Sequence, residues 1–542
     1  METLHSPGYE HSIFQIDSRH QAGILHVMKT KSNRSRVMAC APLLVVLLGS
    51  LTGCSLNSKS AGAGSRDTPA KPINSKHSSE ASGILPLASG TDAFVARLAL
   101  AGKAQRTLDL QYYIWHGDQT GKLLAGAVVQ AAERGVKARL LLDDMGAAAN
   151  DRSLLILDSH PNVEVRLFNP IGLRSHRMLG TLLDFKRVNR RMHNKTFTVD
   201  GRVAIIGGRN IGDEYFGAAE LMNHSDFDVV TKGPVVREVA ASFESYWNCP
   251  AAVPISKVSK ERVSEADIQR GMQELLAHRE MMEKSPYAKA LRSSKLATTP
   301  LSELRLLKGQ AMVVADDPEK VTRSPDDAST HLAPQLRGIV DGTKKEVLLV
   351  SPYFVPGKEG TEWFARMRQR GVAVTLITNT LAATDVAAVH SGYTRYRKTL
   401  LQDGVVLYET KSEPPAPGEK THFSMPSLSL TGSSKASLHA KTFVFDRRWV
   451  FVGSMNLDPR SLKLNTEIGM IVDCPELAEE MLRTLASQLP ERAYRVELGS
   501  GGLTWTSQED GKTVTLKSEP PAGFTKRLIW RIASMLPIEG QL

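Results

Sequence analysis

The chain has 542 residues, 42% of them apolar, enough to bury one large core or two ordinary ones. Its formal net charge of +11 favours anionic partners such as phospholipid surfaces or nucleic acid over cationic ones, and leaves the fold open.

The first legible element is an export signal. Lys29, Lys31, Arg34 and Arg36 precede an apolar run over 37–51 and the tetrapeptide "LTGC" ending at Cys54. A basic region, a short apolar region and small residues before a cleavage point describe a secretory signal. The run is shorter than the roughly 20 apolar residues a membrane span needs. The "LTGC" ending resembles a bacterial lipobox, which implies a mature protein lipid-anchored at Cys54 in the bacterial cell envelope, at the inner or the outer membrane. An uncleaved signal anchor and a soluble export are the plainer alternatives. Residues 1–27 read as an upstream extension of the 1–54 segment. Cys249 and Cys474 then remain in a compartment that permits disulfides, and spacing leaves both pairing and two free thiols open.

Residues 55–84 are polar, rich in Ser, Ala, Gly and Lys, and without apolar period, as a flexible tether would be. Beyond them the chain does the same thing twice. "TLDLQYYIW" (107–115), a helical stretch and "VKARLLLDD" (136–144) are answered by "EVLLVSPYFV" (346–355), a helical stretch and "VAVTLITN" (372–379). Strands alternating with helices predict an α/β fold with a largely parallel sheet. The expected organisation is a first half over 85–250, a helical or irregular connector over 251–330 and a second half over 331–495. A C-terminal tail follows over 496–542. Its "FTKRLIWRIASM" segment reads as a basic amphipathic helix, for a membrane surface or for packing on the halves. Residues 412–436 read as a long, breaker-rich loop.

Each half ends in an unusual stretch, "HNKTFTVDGRVAIIGGRN" (193–210) and "HAKTFVFDRRWVFVGSMN" (439–456), in a constant register of 246 residues. Strand alternation puts His193, Lys195, Phe197 and Val199 on one face, and His439, Lys441, Phe443 and Phe445 on another. A turn after Asp200, where Asp-Gly is a strong hairpin signal, returns the chain and brings Gly208 and Asn210 back beside the histidine. A lone histidine on a strand is more often a core residue. A duplicated His-x-Lys is not, because apolar packing has no need of it. Two imidazoles, two ammoniums and two carboxamides suit phosphodiester transfer. One neutral imidazole attacks phosphorus, the other handles the leaving-group proton, and lysine and asparagine stabilise charge on the non-bridging oxygens. No cofactor or metal is called for by these residue types.

Both stretches resemble the phospholipase D superfamily motif H-x-K-x4-D followed by G-G/S-x-N. It is carried by His193, Lys195, Asp200, Gly207, Gly208 and Asn210, and by His439, Lys441, Asp446, Gly453, Ser454 and Asn456. The resemblance covers about 85–495 and implies two α-β-α sandwich halves related by a pseudo-twofold around one shared active site. It implies catalytic roles for the His, Lys and Asp of each motif, with Asp200 and Asp446 read as organisers at strand-end turns. It also implies phosphate binding by Asn210, Asn456, Gly208 and Ser454, and one downstream acid holding each histidine. Glu467 is expected for the second half, and Asp226, with Asp228 as its competitor, for the first. Family habit makes His193 the nucleophile and His439 the general acid. Segments 207–217, 385–409 and 453–469 are similar to bacterial cardiolipin synthase C-type proteins. That implies transfer of a phosphatidyl group between phospholipids, with phosphatidylglycerol as acceptor and phosphatidylglycerol or phosphatidylethanolamine as donor.

Three rivals share these residues. A hydrolase differs only in using water, and the 412–436 loop and "HSGYTRYRK" (390–398) are where acceptor control is expected. For His390, Tyr393, Arg395 and Arg397 the alternative is a helix face packed on the sheet. A nuclease would track phosphates along the basic stretch 174–195. A catalytically dead, lipid-tethered scaffold would have no use for two intact motifs.

Overall fold

A computed structural model describes residues 80–147, 151–219, 223–300, 303–412 and 436–542. Cys54, the signal, nearly all of the tether and most of the 412–436 loop lie outside the described residues.

In the first half, β2 (Thr107–Tyr112), β3 (Lys137–Asp143) and β4 (Val163–Phe168) run parallel. Antiparallel β5 (Thr196–Val199), β6 (Val203–Gly207) and β8 (Asp228–Lys232) continue the sheet on the β2 side. It is completed by β1 (Ser82–Leu87) against β8 and β9 (Ala252–Pro254) against β4. The remaining short strand, β7 (Asn223–Ser225), leaves this sheet altogether.

The second half repeats the plan. There β11 (Glu346–Val350), β12 (Ala373–Asn379) and β13 (Val406–Thr410) are the parallel trio. With β10 (Leu307–Ala315) and β14 (Ala436–Leu438) preceding them in turn, β15 (Lys441–Phe445), β16 (Trp449–Gly453) and β17 (Ile468–Asp473) form the antiparallel continuation. The far edge is β18 (Ala493–Gly499), β19 (Gly502–Glu509) and β20 (Lys512–Leu516). The sheet is therefore mixed, with three parallel strands per half. The expected boundaries shift accordingly. Residues 82–84 are strand rather than tether, the connector supplies β9 and β10, and 496–516 extend the second sheet instead of trailing from it.

The repeated "RGV" has a clear cause. The helices Gln119–Glu133 and Gly357–Gln369 each end on an arginine followed by Gly135 (φ 91°) or Gly371 (φ 81°). Glycine takes the left-handed turn that stops the helix and feeds a buried strand. The hairpin turns are also tight, with Asp200, Gly201, Asp446 and Arg447 all at positive φ.

Each half has its own apolar core, built around Leu108, Leu110, Leu140 and Phe197 in the first and Leu349, Leu376, Phe443 and Phe451 in the second. A third cluster joins them, mixing Ile84, Ile206 and Val229 with Val450, Val452, Ile468 and Met470. Pairing of β1 with β10 makes the two sheets continuous. Among the described residues no helix is long and apolar enough to cross a membrane. Cys249 and Cys474 are free thiols.

Candidate active site

The two histidines do not lie in the hairpins as the alternation predicts. Regular pairing starts at Thr196 and Lys441, and the residues just before are extended leads drawn toward the other half. Met192 bridges Thr466, and the His193 amide donates to the Thr466 carbonyl at 2.8 Å. On the other side β7 pairs with β14, and the His439 amide donates to the Ser225 carbonyl at 2.8 Å.

This exchange decides which acid holds which imidazole. Nδ1 of His193 lies 2.8 Å from Oε2 of Glu467, and Nδ1 of His439 lies 2.6 Å from Oδ2 of Asp226. Each histidine is thus held by the acid of the opposite half, not by the acid downstream of it. Asp228, the competitor, instead forms a buried ion pair with Arg97 at 2.9 Å. A carboxylate on Nδ1 fixes the tautomer, so Nε2 of each imidazole carries its lone pair away from the acid. The backbone of Glu467 is pinned in turn, since its amide donates to Asp316 Oδ2 at 2.7 Å and its carbonyl accepts from the Asp316 amide at 2.9 Å.

The rings sit in matched aromatic settings. Tyr113 meets His193 edge-on at 5.1 Å between centroids, and Tyr215 meets His439 edge-on at 5.2 Å. His224, from β7, tilts against both His439 (5.0 Å) and Tyr215 (4.9 Å), and its Nδ1 is buried without a hydrogen-bond partner. Lys195 and Lys441 donate back to the carbonyls of His193 and His439, and Lys195 also sits 5.5 Å from the Tyr113 ring.

Burial dominates the electrostatics. It pushes His193 down to about 4 despite the opposing pull of Glu467, and holds His439 well below the ordinary histidine value, with Lys441 and His224 adding to the effect. Lys441 is pushed down to about 8 and Lys195 well below its usual value, again chiefly by burial. Burial pushes Glu467 upward, but its hydrogen-bonded contact with His193 and the nearby Lys195 ammonium outweigh this and hold it below the usual carboxylate range. The resting site therefore has two neutral imidazoles, with Glu467 anionic beside His193.

The remaining motif residues divide. The Asn210 amide donates to the Tyr215 hydroxyl at 2.9 Å and accepts from the Ile114 amide at 3.1 Å, whereas the buried Asn456 carbonyl oxygen has no partner. Gly208 is needed by the protein itself. A Cβ there would lie 2.1 Å from Asp226 Oδ1, so the glycine makes room for the acid that holds His439. Ser454 exchanges hydrogen bonds with the backbone of Ile468. Asp200 and Asp446, grouped with the catalytic residues by the motif, are away from the imidazoles. Asp200 accepts from the amides of Gln105, Arg106 and Thr107, and Asp446 from those of Lys344, Lys345 and Glu346, so each ties a hairpin turn to the start of the neighbouring strand.

Sequence reading missed Tyr113, Tyr215, His224 and Asp316. Tyr113 follows the end of a parallel strand, where sites of α/β sheets collect, and that position was an available signal. His224 had none, because only the β7–β14 pairing brings it to His439. The "HSGYTRYRK" segment took the plainer course. His390 and Arg397 bind Glu519, Tyr393 and Arg397 bind Glu409, and Arg395 binds the Ser534 carbonyl. The basic stretch 174–195 is largely answered by local acids, through Arg174 and Arg177 to Asp144, Arg187 to Asp184 and Arg191 to Asp143. Among the described residues, His116, Asp118 and Glu214 offer ligand atoms within 4.8 Å of one another. Asp118 is already engaged there, by the amides of Gly121 and Asp213.

Comparison with known proteins places the chain in a family. The family described as cardiolipin synthase, PLD-like domain, matches over residues 98–247 and 336–489. The chain is 42% identical over 478 residues to cardiolipin synthase C of Escherichia coli, covering 86% of this chain and 98% of that one. It is 27% identical over 397 residues to cardiolipin synthase B of Salmonella typhi, covering 72% and 77%. A solved phosphatidylserine synthase of Haemophilus influenzae shares the fold, with a TM-score of 0.54 at 13% identity, covering 86% of this chain and 98% of that one.

Proposed function

We propose, for a chain that belongs to the cardiolipin synthase family with phospholipase D-like domains, that it is a phosphatidyltransferase making cardiolipin from phosphatidylglycerol and a second phospholipid. The observation that carries the reading is the pair of imidazoles each fixed through Nδ1 by a carboxylate of the opposite half.

In this mechanism Nε2 of His193 attacks the donor phosphorus. A P–N bond forms, the P–O bond to the headgroup alcohol breaks, and the departing alkoxide takes a proton from Nε2 of His439. The headgroup of phosphatidylglycerol then gives its hydroxyl proton to His439 and attacks the phosphohistidine. The P–N bond breaks and cardiolipin leaves. Lys195, Lys441, Asn210 and Asn456 stabilise the charge on the non-bridging oxygens. Asp226 and Glu467 orient the imidazoles and stabilise the imidazolium each becomes. His439 is neutral in the resting site, so it takes a proton from solvent as the anionic phosphate binds, because the added negative charge raises its affinity for one. Asp200 and Asp446 hold the hairpins. Cys54 is assigned as the lipidation site of an envelope protein, and 55–81 as the tether between anchor and enzyme.

The test is the product. Full-length protein in detergent is given phosphatidylglycerol alone, then with phosphatidylethanolamine, and the lipids are analysed by mass spectrometry. Cardiolipin is expected, with free glycerol or ethanolamine identifying the donor. Phosphatidic acid without cardiolipin would make the enzyme a hydrolase. The ion-paired state of Arg174, Arg177, Arg187 and Arg191 counts against the nuclease alternative, because these charges are already answered.

A further inference from the structure

Eleven large apolar side chains are exposed among the described residues, and nine of them belong to two short stretches of chain. Leu173, Met178, Leu179, Leu182 and Leu183 are on and just before the helix Arg177–Leu183. Phe524, Leu528, Ile532 and Met535 are on the helix Phe524–Met535. Leu183 is 76% exposed, as is Met535, and Phe524 is 74% exposed. Scattered single exposures need no explanation, but contiguous ones do.

The C-terminal helix is amphipathic on both sides of its axis. Its inner face is fastened to the second half, through buried Ala533 and through Lys526, whose ammonium donates to the carbonyls of Ala382 and Thr384 at 2.6 and 2.7 Å. At about 100° per residue, Phe524, Leu528, Ile532 and Met535 fall within one arc of about 80° on the opposite face. Packing against the protein and a free apolar face therefore coexist in one helix.

The segments that follow the two stretches meet at one junction. Asn189, just after the helical turns that follow Leu183, donates to the side chain of Gln541 at 2.8 Å. Arg460 closes the junction by donating to the Asn189 carbonyl, the Asn189 side chain and the Gln541 carbonyl. Three residues beyond Asn189, Met192 begins the crossing that delivers His193. The chain that leads from the first stretch to the proposed nucleophile thus passes through this junction. The exposed charge of the two stretches is one-sided. Arg174, Arg177 and Arg187 are answered by acids and Lys526 by carbonyls, but Lys186, Arg527 and Arg531 are exposed beside the apolar side chains, where the one acid of 173–190 and 524–535 is Asp184.

We infer that these two faces together form the surface by which the enzyme docks on an anionic phospholipid bilayer, seating apolar side chains among the acyl chains and basic ones at the headgroups. Apolar faces bordered by Lys and Arg fit the acyl–headgroup boundary, and basic residues there are attracted by anionic lipid. A tether from Cys54 to Ser82 spans up to about 95 Å when extended, so an anchored enzyme has the reach to dock. The inference rests on the lipid-transfer reading, and its test separates the two.

Full-length protein is compared with a full-length variant carrying Leu182→Asp, Leu183→Asp, Phe524→Asp and Leu528→Asp. Each acts on vesicles of phosphatidylglycerol and phosphatidylethanolamine, and on dihexanoyl phosphatidylglycerol dissolved as monomers. We expect a loss of about tenfold or more on vesicles, with activity on the monomeric lipid within about twofold of wild type. Unchanged activity on both, or equal loss on both, would overturn docking through these faces. Environment-sensitive labels at Leu183 and Phe524, with Met281 as an exposed control, give a second readout independent of catalysis. Quenching of the first two by vesicle lipids carrying quenchers, and not of the control, is expected. Quenching of none, or a blue shift that follows protein concentration without vesicles, overturns the docking. If wild type makes no cardiolipin from either lipid, the transfer reading fails while the labels still decide the surface.

Discussion

At the scale of single residues, the identity of the proposed reacting groups was legible and their pairing was not. His193, Lys195, His439 and Lys441 stand out because apolar packing has no use for them. The acid that serves each imidazole follows from the exchange of segments between halves, which leaves no trace in local spacing. Glu467→Gln is expected to slow phosphohistidine formation on His193 by about 10²–10⁴, with the circular dichroism spectrum unchanged. Rapid-quench trapping of the adduct measures this, and the same defect seen only in breakdown of the adduct would place Glu467 with the other histidine. The pH dependence follows from burial. Below about 4 His193 is protonated and loses its lone pair; as pH rises to about 8 Lys441 begins to lose the charge that holds the phosphate, and Lys195, also held well below its usual value by burial, loses its own. The kcat/KM profile on a soluble short-chain substrate should therefore fall on the acid side near 4 rather than near 6.5, decline with rising pH as proton uptake by His439 becomes harder, and steepen where Lys441 discharges at about 8.

At the scale of elements, the motif's small and acidic residues separate into two kinds of support. Gly208 leaves room for Asp226, with 2.1 Å between a would-be Cβ and the carboxylate. Gly208→Ala should displace Asp226 from His439 and lower kcat by about 10² or more, with little change in substrate binding. Asp200 accepts three backbone amides at the foot of the hairpin. Asp200→Ala should lower stability by about 1–2 kcal/mol, read as a fall in Tm, and leave kcat within about threefold. A large loss of kcat with unchanged Tm would return Asp200 to the reacting groups. The helix–"RGV"–strand units were readable because a glycine stop and a buried apolar run are local facts. Termini such as β1, β10 and β18 were not, because their membership in a sheet depends on partners up to several hundred residues away.

At the scale of the whole molecule, neither half holds a complete site. His193 needs Glu467, His439 needs Asp226, and a core shared by Ile206, Val229, Val452 and Met470 joins the two sheets. A protease site placed at 301–302 and cut in the folded protein should leave two fragments that co-elute and retain activity, whereas either fragment made alone should be inactive. Separation of the nicked fragments on a sizing column would show that the shared core and the β1–β10 pairing do not suffice to hold the halves. The same scale explains why the C-terminal helix had two readings. Its amphipathic period is local, but only the packed molecule shows that one face is fastened to the second half while the other stays exposed.

By itself the sequence determined the repeat, the α/β class, the two His-x-Lys pairs and the hairpin turns, because each rests on residue type and short-range period. Tertiary structure alone decided the crossed acid–histidine pairs, the arrival of His224 and Tyr215 beside His439, and the junction of Asn189, Arg460 and Gln541 between the segments that follow the two exposed apolar faces. Those depend on contacts between residues far apart in the chain. They are set by how two packed sheets exchange segments, a choice that strand and helix periodicity does not encode.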